Sequence, residues 1–74
     1  MSQDNRFSNR ELLAKNIIKL RTKRSIRREE LSLALGFDNS YISKLEKSKI
    51  NITIDKLTLI ANYFEISIKE LFTE

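Results

Sequence analysis

The side chains best equipped for binding chemistry lie in one stretch, Arg28 to Leu45, reading REELSLALGFDNSYISKL. Asn39, Ser40, Ser43 and Lys44, with Lys47 just beyond, are hydrogen-bonding or basic. Asn can pair bidentately with adenine, Lys can donate to guanine, and Ser can serve either base. Ile42 and Leu45 lie three apart and so share the other side of a helix. A short helix with a small apolar back and a polar, basic front suits the DNA major groove, which admits one α-helix. Bond-making chemistry finds no such support. The chain has no Cys and no His, which excludes disulfides, thiolate or imidazole metal sites, and nucleophile–base pairs built on either. Glu29 and Glu30 are sequence neighbours and do not share a helix face. There is no glycine-rich phosphate loop. The carboxylates read as helix caps or solvated groups, so no enzyme activity, metal or cofactor is expected.

The elements that must hold those side chains are two short helices and a turn. Gly36 is the only glycine in the chain. Lacking a Cβ, glycine enters the left-handed region that ends one helix and lets the next leave steeply. Leu31, Leu35, Phe37, Ile42 and Leu45 are the apolar residues that would pin the pair to a core.

Taken together, this stretch, YISKLE within it and SIKELF near the end resemble the lambda-repressor-like (Cro-type) family of helix-turn-helix regulators, over roughly Ile17 to Phe72. The resemblance implies an all-α, compact five-helix DNA-binding domain whose second and third helices form the helix-turn-helix. It places the base-reading positions on Asn39, Ser40 and Lys44, with Ser43 beside them. Arg28 stands where the family usually has Gln, whose side chain meets a DNA phosphate; arginine is the better phosphate ligand. Arg27 stands where a Ser or Thr cap is usual, and it caps poorly. Glu46 is implied to pair with Arg21, holding that arginine where it can also approach phosphate. In the restriction–modification controller proteins, which the segment also resembles, a tyrosine at the position of Tyr41 lies against the DNA backbone; packing of its ring on the second helix is the alternative. The family commonly has Gly at Ser48 and Pro at Ile52, and both are missing here. Asn51–Ile52 before Thr53 is closer to the controller proteins than to phage repressors. Lys47, Lys49 and Asn51 are placed to grip phosphate beyond the recognition helix.

At 74 residues the chain has room for one domain, residues 1–74. A chain this short buries only about 60% of its unfolded surface, so pairing with a second copy would help it. Net charge is +4, unevenly spread: residues 1–49 carry a net +6 and residues 50–74 a net −2. Lys15, Lys19, Arg21, Lys23, Arg24, Arg27 and Arg28 follow one another with no acid between them. A basic half joined to a mildly acidic half fits a nucleic-acid face opposite a self-association face; a solvated helix surface is the plainer reading of a charge run alone. No segment approaches the roughly 20 apolar residues of a membrane span, and no signal-peptide pattern opens the chain. A cytoplasmic protein at the bacterial nucleoid is expected, with no membrane partner.

In order, Met1–Arg6 reads as a polar, disordered arm. Ser8 and Glu11 form a capping box, Phe7 and Leu12 a hydrophobic staple, and Leu13, Ile17 and Leu20 the buried face of a helix ending near Lys23. The second helix runs from about Arg28 to Leu35 and the third from Asn39 to Lys47, with Asp38 as its cap. The fourth starts at Thr53, with Ile54, Leu57, Ile60, Ala61 and Phe64 inward. The fifth opens on a Ser67–Glu70 capping box, and Leu71 and Phe72 close the core.

The leading expectation is a sequence-specific transcriptional regulator, binding an inverted repeat in double-stranded DNA as a homodimer, as a restriction–modification controller or a phage or plasmid repressor. Ile50, Ile52, Leu59 and Tyr63 are the expected dimer surface, with Leu33 as a rival; scattered exposed apolar residues are the plainer alternative. No effector domain follows the last helix, so no small-molecule switch is expected. The other reading is an antitoxin or protein-interaction module on the same fold.

Overall fold

The computed structural model describes residues 8–74, and among these there are helices and loops and no strand. Four α-helices follow one another: α1 (Asn9–Lys23), α2 (Arg28–Ala34), α3 (Tyr41–Glu46) and α4 (Ile54–Tyr63). A 3₁₀ helix, Ile68–Phe72, comes last. The expected arm at Met1–Arg6 and the Phe7 half of the first staple lie outside the described residues.

The all-α expectation holds, with four α-helices in place of five. The fifth is a single short 3₁₀ helix whose end is tied to α1. Asn16 of α1 donates its Nδ2 to the carbonyls of Leu71 and Thr73, at 2.8 Å each. Thr73 is extended, and the chain continues no α-helical ladder.

α1 begins as its sequence predicts. The Ser8 hydroxyl accepts from the Glu11 N–H, and Glu11 Oε1 accepts in return from the Ser8 N–H. Thr53 caps α4 by accepting from the Lys56 N–H. Arg27 gives α2 no side-chain cap.

α2 and α3 have seven and six residues, far below the roughly 12–15 at which an isolated helix becomes even marginal. Burial holds them. Leu31 and Ile42 are fully buried, in one cluster with Leu13, Ile17, Leu45, Leu57, Ile60, Ala61, Phe64 and Leu71. Each of the large side chains among them contributes about 1.5–3 kcal/mol. α1 packs on α3 and on the 3₁₀ helix, α2 on α3, and α4 on the 3₁₀ helix. Ile54 was expected inward, but it opens α4 at 69% exposure, ahead of the turn that meets the core.

All four α-helices end in the same way. Ser25, Gly36, Ser48 and Glu65 have φ of 57°, 79°, 58° and 59°. In each case the next residue donates back to the carbonyl five positions earlier: Ile26 to Arg21, Phe37 to Ser32, Lys49 to Lys44 and Ile66 to Ala61, at 2.8–3.1 Å. These are Schellman closures, which normally place glycine at the left-handed position. Glycine occupies one of the four. Ser48 therefore takes the left-handed conformation that suits glycine, and the closure forms without one.

Candidate nucleic-acid interface

α3 is held from behind by α2. The Ser32 side chain is fully buried, and its hydroxyl accepts from the Ile42 N–H at 3.0 Å. Ile42 lies in the first turn of α3, so a serine on the preceding helix supplies the cap that α3 lacks locally. Ser40, the N-cap residue, makes no side-chain cap bond. Nothing in the local pattern of the third helix points to Ser32. The one signal is a serine next to Leu31, where the apolar stripe passes.

The third helix is shorter than its sequence suggests, and Asp38 is not its cap. The Asp38 carboxylate accepts from the Ser40 hydroxyl at 2.6 Å and from the Ser40 N–H at 3.2 Å. Tyr41 N–H goes to the Asp38 carbonyl. A turn therefore precedes the helix, and Asn39 and Ser40 belong to it. The Ser40 hydrogen bonds, side chain first, hold the Asp38 carboxyl below its ordinary value, with Lys44 adding an attractive charge against slight desolvation.

Ser40, Ser43 and Lys44 still share a face. The Lys44 N–H bonds the Ser40 carbonyl at 3.0 Å, so the spacing of three and four is helical. Lys44 and Asn39 are exposed, Ser40 and Ser43 half-buried, and Ile42 and Leu45 are buried behind them. The Asn39 Nδ2 approaches Glu29 Oε2 of α2 at 3.5 Å.

The Arg21–Glu46 pair forms across α1 and α3. Arg21 Nε lies 2.8 Å from Glu46 Oε2 and its Nη2 3.3 Å from Oε1. Arg21 Nη1 donates to the Ile26 carbonyl. The two side chains are 13% and 4% exposed. Arg21 is thus a brace, with most of its donors committed inside the protein, and the expected phosphate contact is not prepared. Arg28 differs. Its side chain is 54% exposed, with Nη1 3.8 Å from Glu46 Oε1, which steadies a guanidinium that still faces outward.

Lys47, Lys49 and Asn51 are exposed around the left-handed turn at Ser48. Arg10 of α1 donates to the Asn51 side-chain oxygen and ties this loop to the first helix. Tyr41 departs from the phosphate role implied for it. Its hydroxyl is buried and has no hydrogen-bond partner. The ring packs against Phe37 with centroids 4.7 Å apart, and Lys56 Nζ lies 4.7 Å over its face. Burial raises the Tyr41 pKa. The ring packing that forms is on Phe37, just beyond the end of α2, and against Lys56 of α4.

The basic run does not act as a block. Arg24 donates to the carbonyls of Tyr63 and Phe64 at 3.5 and 3.3 Å and lies over the Phe64 ring. It closes the C-terminal end of α4, where a cation is favoured. Among the expected dimer residues, Leu59 is 46% exposed, while Ile50, Ile52 and Tyr63 are half-buried against the core edge. Leu33 is 62% exposed on α2. Among the described residues no helix is long and apolar enough to cross a membrane.

Comparison with known proteins accords with this geometry. A family model described as helix-turn-helix matches residues 17–71. A HTH-type transcriptional regulator of Sinorhizobium fredii, y4dJ, itself uncharacterized, is 33% identical over 64 residues, covering 86% of this chain and 83% of its own length. Among solved structures, the hypothetical transcription factor NHTF from Neisseria superposes with a TM-score of 0.86 at 23% identity, over 99% of this chain and 84% of that one. The restriction-modification controller protein C.AhdI from Aeromonas hydrophila does so with a TM-score of 0.79 at 24% identity, over 89% of this chain and all of that one. The helix-turn-helix of α2 and α3, the family match over most of the chain and the related regulator agree: the chain belongs to the lambda-repressor-like helix-turn-helix family of DNA-binding transcriptional regulators.

Proposed function

We propose that the protein binds a specific operator as a homodimer, in the manner of a restriction–modification controller or a phage or plasmid repressor, and regulates transcription by occupying that site. α3 enters the major groove, with Asn39, Ser40, Ser43 and Lys44 at base edges. Arg28 on one side and Lys47, Lys49 and Asn51 on the other hold the phosphates and set the register. The observation that carries this reading is the common outward face of Ser40, Ser43 and Lys44, with Asn39 at its leading edge and Ile42 and Leu45 buried behind. Twofold symmetry puts two such helices in successive major grooves, about 34 Å apart, on an inverted repeat. The cytoplasm is the compartment where this activity has its substrate.

Selection of bound sites from random duplexes, followed by salt titration, tests it. An inverted repeat is expected, with log affinity falling against log salt by about 0.9 per phosphate contact. Lys44→Ala should relax preference at one base position by about 1–3 kcal/mol, whereas Arg28→Ala should weaken every sequence alike and flatten the salt slope by about one contact. Equal losses on all sequences for both variants would overturn the division of roles. Selection that enriches no sequence would overturn the operator reading itself.

A further inference from the structure

The turn before α3 fixes the hydrogen-bonding sense of Ser40, on the recognition face. Ser40 Oγ and Asp38 Oδ2 are 2.6 Å apart. An ionised carboxylate can only accept, so the proton between them is the serine's. The same oxygen also takes the Ser40 N–H, which closes the ring and holds the hydroxyl in one rotamer. With its proton committed, Ser40 has only lone pairs to offer outward. The Asn39 Nδ2 approaches Glu29 Oε2 at 3.5 Å, which occupies one of its two N–H donors and leaves the other, with the side-chain oxygen, for a base edge. Lys44, one turn on from Ser40, has only donors.

We propose that Asp38 is a specificity-determining positioning residue: by holding the Ser40 hydroxyl proton, it makes Ser40 a pure acceptor that selects a base with an exocyclic amino group, adenine N6 or cytosine N4. This rests on the groove-reading role proposed above for α3. In the major groove those two amino groups are the only base-edge hydrogen-bond donors, while guanine and thymine present acceptors there. Ser40 without Asp38 can turn its proton outward and serve either kind of base. Asp38 therefore converts a permissive reader into a selective one. Its negative charge beside the hydroxyl works in the same direction, since it favours a partially positive amino group and disfavours a carbonyl oxygen. Lys44 supplies the opposite preference, for guanine O6 or N7, about one helical turn further along. The half-site then carries an amino-bearing base facing Ser40 and a carbonyl-bearing base facing Lys44.

The test uses the full chain and chemically altered operators. Selection with the wild type and with Ser40→Ala locates the position that Ser40 reads, as the one whose preference disappears. At that position two duplexes are then compared. One lacks the exocyclic amino group, with purine for adenine or 2-pyrimidinone for cytosine. The other lacks the carbonyl oxygen of the opposite base. Loss of the amino group should weaken wild-type binding by about tenfold. The same loss should weaken Ser40→Ala and Asp38→Ala much less, and that difference cancels any effect on pairing within the duplex. Loss of the carbonyl should cost the wild type little. Thermal melting of both variants confirms that they are folded. The proposal is overturned if the carbonyl is the costly deletion, if Asp38→Ala discriminates as the wild type does, or if Ser40→Ala alters no position. A protein that selects no sequence at all would instead defeat the reading of α3 on which the proposal rests.

Discussion

The Ser32 hydroxyl and the Ile42 backbone N–H meet at 3.0 Å inside the protein, so α2 caps α3. The bond joins the two halves of the helix-turn-helix at the point where the second helix begins. Ser32→Ala keeps the helix propensity of α2 but leaves the Ile42 N–H buried and unpaired. Such a group costs about 1–3 kcal/mol. Chemical denaturation should show a loss of that size, and operator affinity should fall with it because the angle between α2 and α3 is no longer fixed. Unchanged stability would mean that water reaches Ile42.

The Glu46 carboxylate serves two arginines, Arg21 inside and Arg28 at the rim. Removing it leaves the Arg21 guanidinium largely buried, with the Ile26 carbonyl as its remaining acceptor. Breaking such a pair from one side costs more than an exposed pair is worth. Glu46→Ala should destabilise the fold by roughly 1–3 kcal/mol. Equal melting temperatures for variant and parent would show that the pair is not structural.

The Schellman closures make an unequal set of substitutions. Ser25, Ser48 and Glu65 hold the left-handed conformation with a side chain in place, which costs about 1–2 kcal/mol each. Glycine removes that strain but loses more backbone entropy on folding, by roughly 0.5–1 kcal/mol. Ser48→Gly and Glu65→Gly should each stabilise the protein by about 0.5–1 kcal/mol. Gly36→Ala should do the opposite by about 1 kcal/mol, from the backbone alone, because a Cβ there meets no atom within 4 Å. A loss of stability in Ser48→Gly would show that the Ser48 side chain contributes a contact of its own.

These elements show where the sequence was readable. Ser8–Glu11 and Thr53 act within one turn, and a local pattern is enough to find a local bond. Gly36 was readable because left-handed backbone and missing Cβ coincide there. Ser25 and Glu65 carry no such mark, because only the tertiary packing holds their strain, and Ser48 is marked only by the glycine that the family usually has there. The resemblance to the family supplied Arg21–Glu46, which joins residues 25 positions apart. It supplied no equivalent for Asn16 on the last carbonyls, Arg24 on α4 or Ser32 on Ile42, and no periodicity encodes them. α3 starts two residues later than its sequence suggests, for a physical reason. Asp38 has the right side chain for a cap, and it spends that side chain on Ser40.

Tyr41 is a pH-sensitive element of the core edge. Its hydroxyl is buried without a partner, and burial raises its pKa above the ordinary 10.0. The folded state thus keeps the phenol proton at a pH where the unfolded chain has lost it. Stability from this group is present below pH 10 and is lost as pH rises from there through the folded value. Tyr41→Phe removes both the titration and the unpaired hydroxyl. The variant should be more stable than the parent by about 1 kcal/mol near neutrality, and the gap should widen above pH 10 in thermal melts. If Tyr41→Phe is instead destabilising and weakens DNA binding, the hydroxyl has a partner in solution and the phosphate role is restored.

The proposed homodimer would pair through apolar side chains that the core leaves uncovered. Ile50, Ile52 and Tyr63 are partly buried against the chain's own core, so Leu59 is the most exposed of the four. Leu59 is 46% exposed on α4, and Tyr63 follows one turn later with its ring edge-on to Phe64. The two are at helical spacing, on the side of α4 away from Leu57, Ile60 and Ala61. They also lie in the acidic half of the chain, opposite in charge to the segment bearing the groove-facing residues. Leu59→Asp with Tyr63→Asp buries two charges in such an interface and should yield monomer in sedimentation, with operator affinity falling to that of a single half-site. Leu33→Asp should leave the dimer intact. An unchanged dimer in the double variant, or loss of the dimer in Leu33→Asp alone, would move the interface to α2.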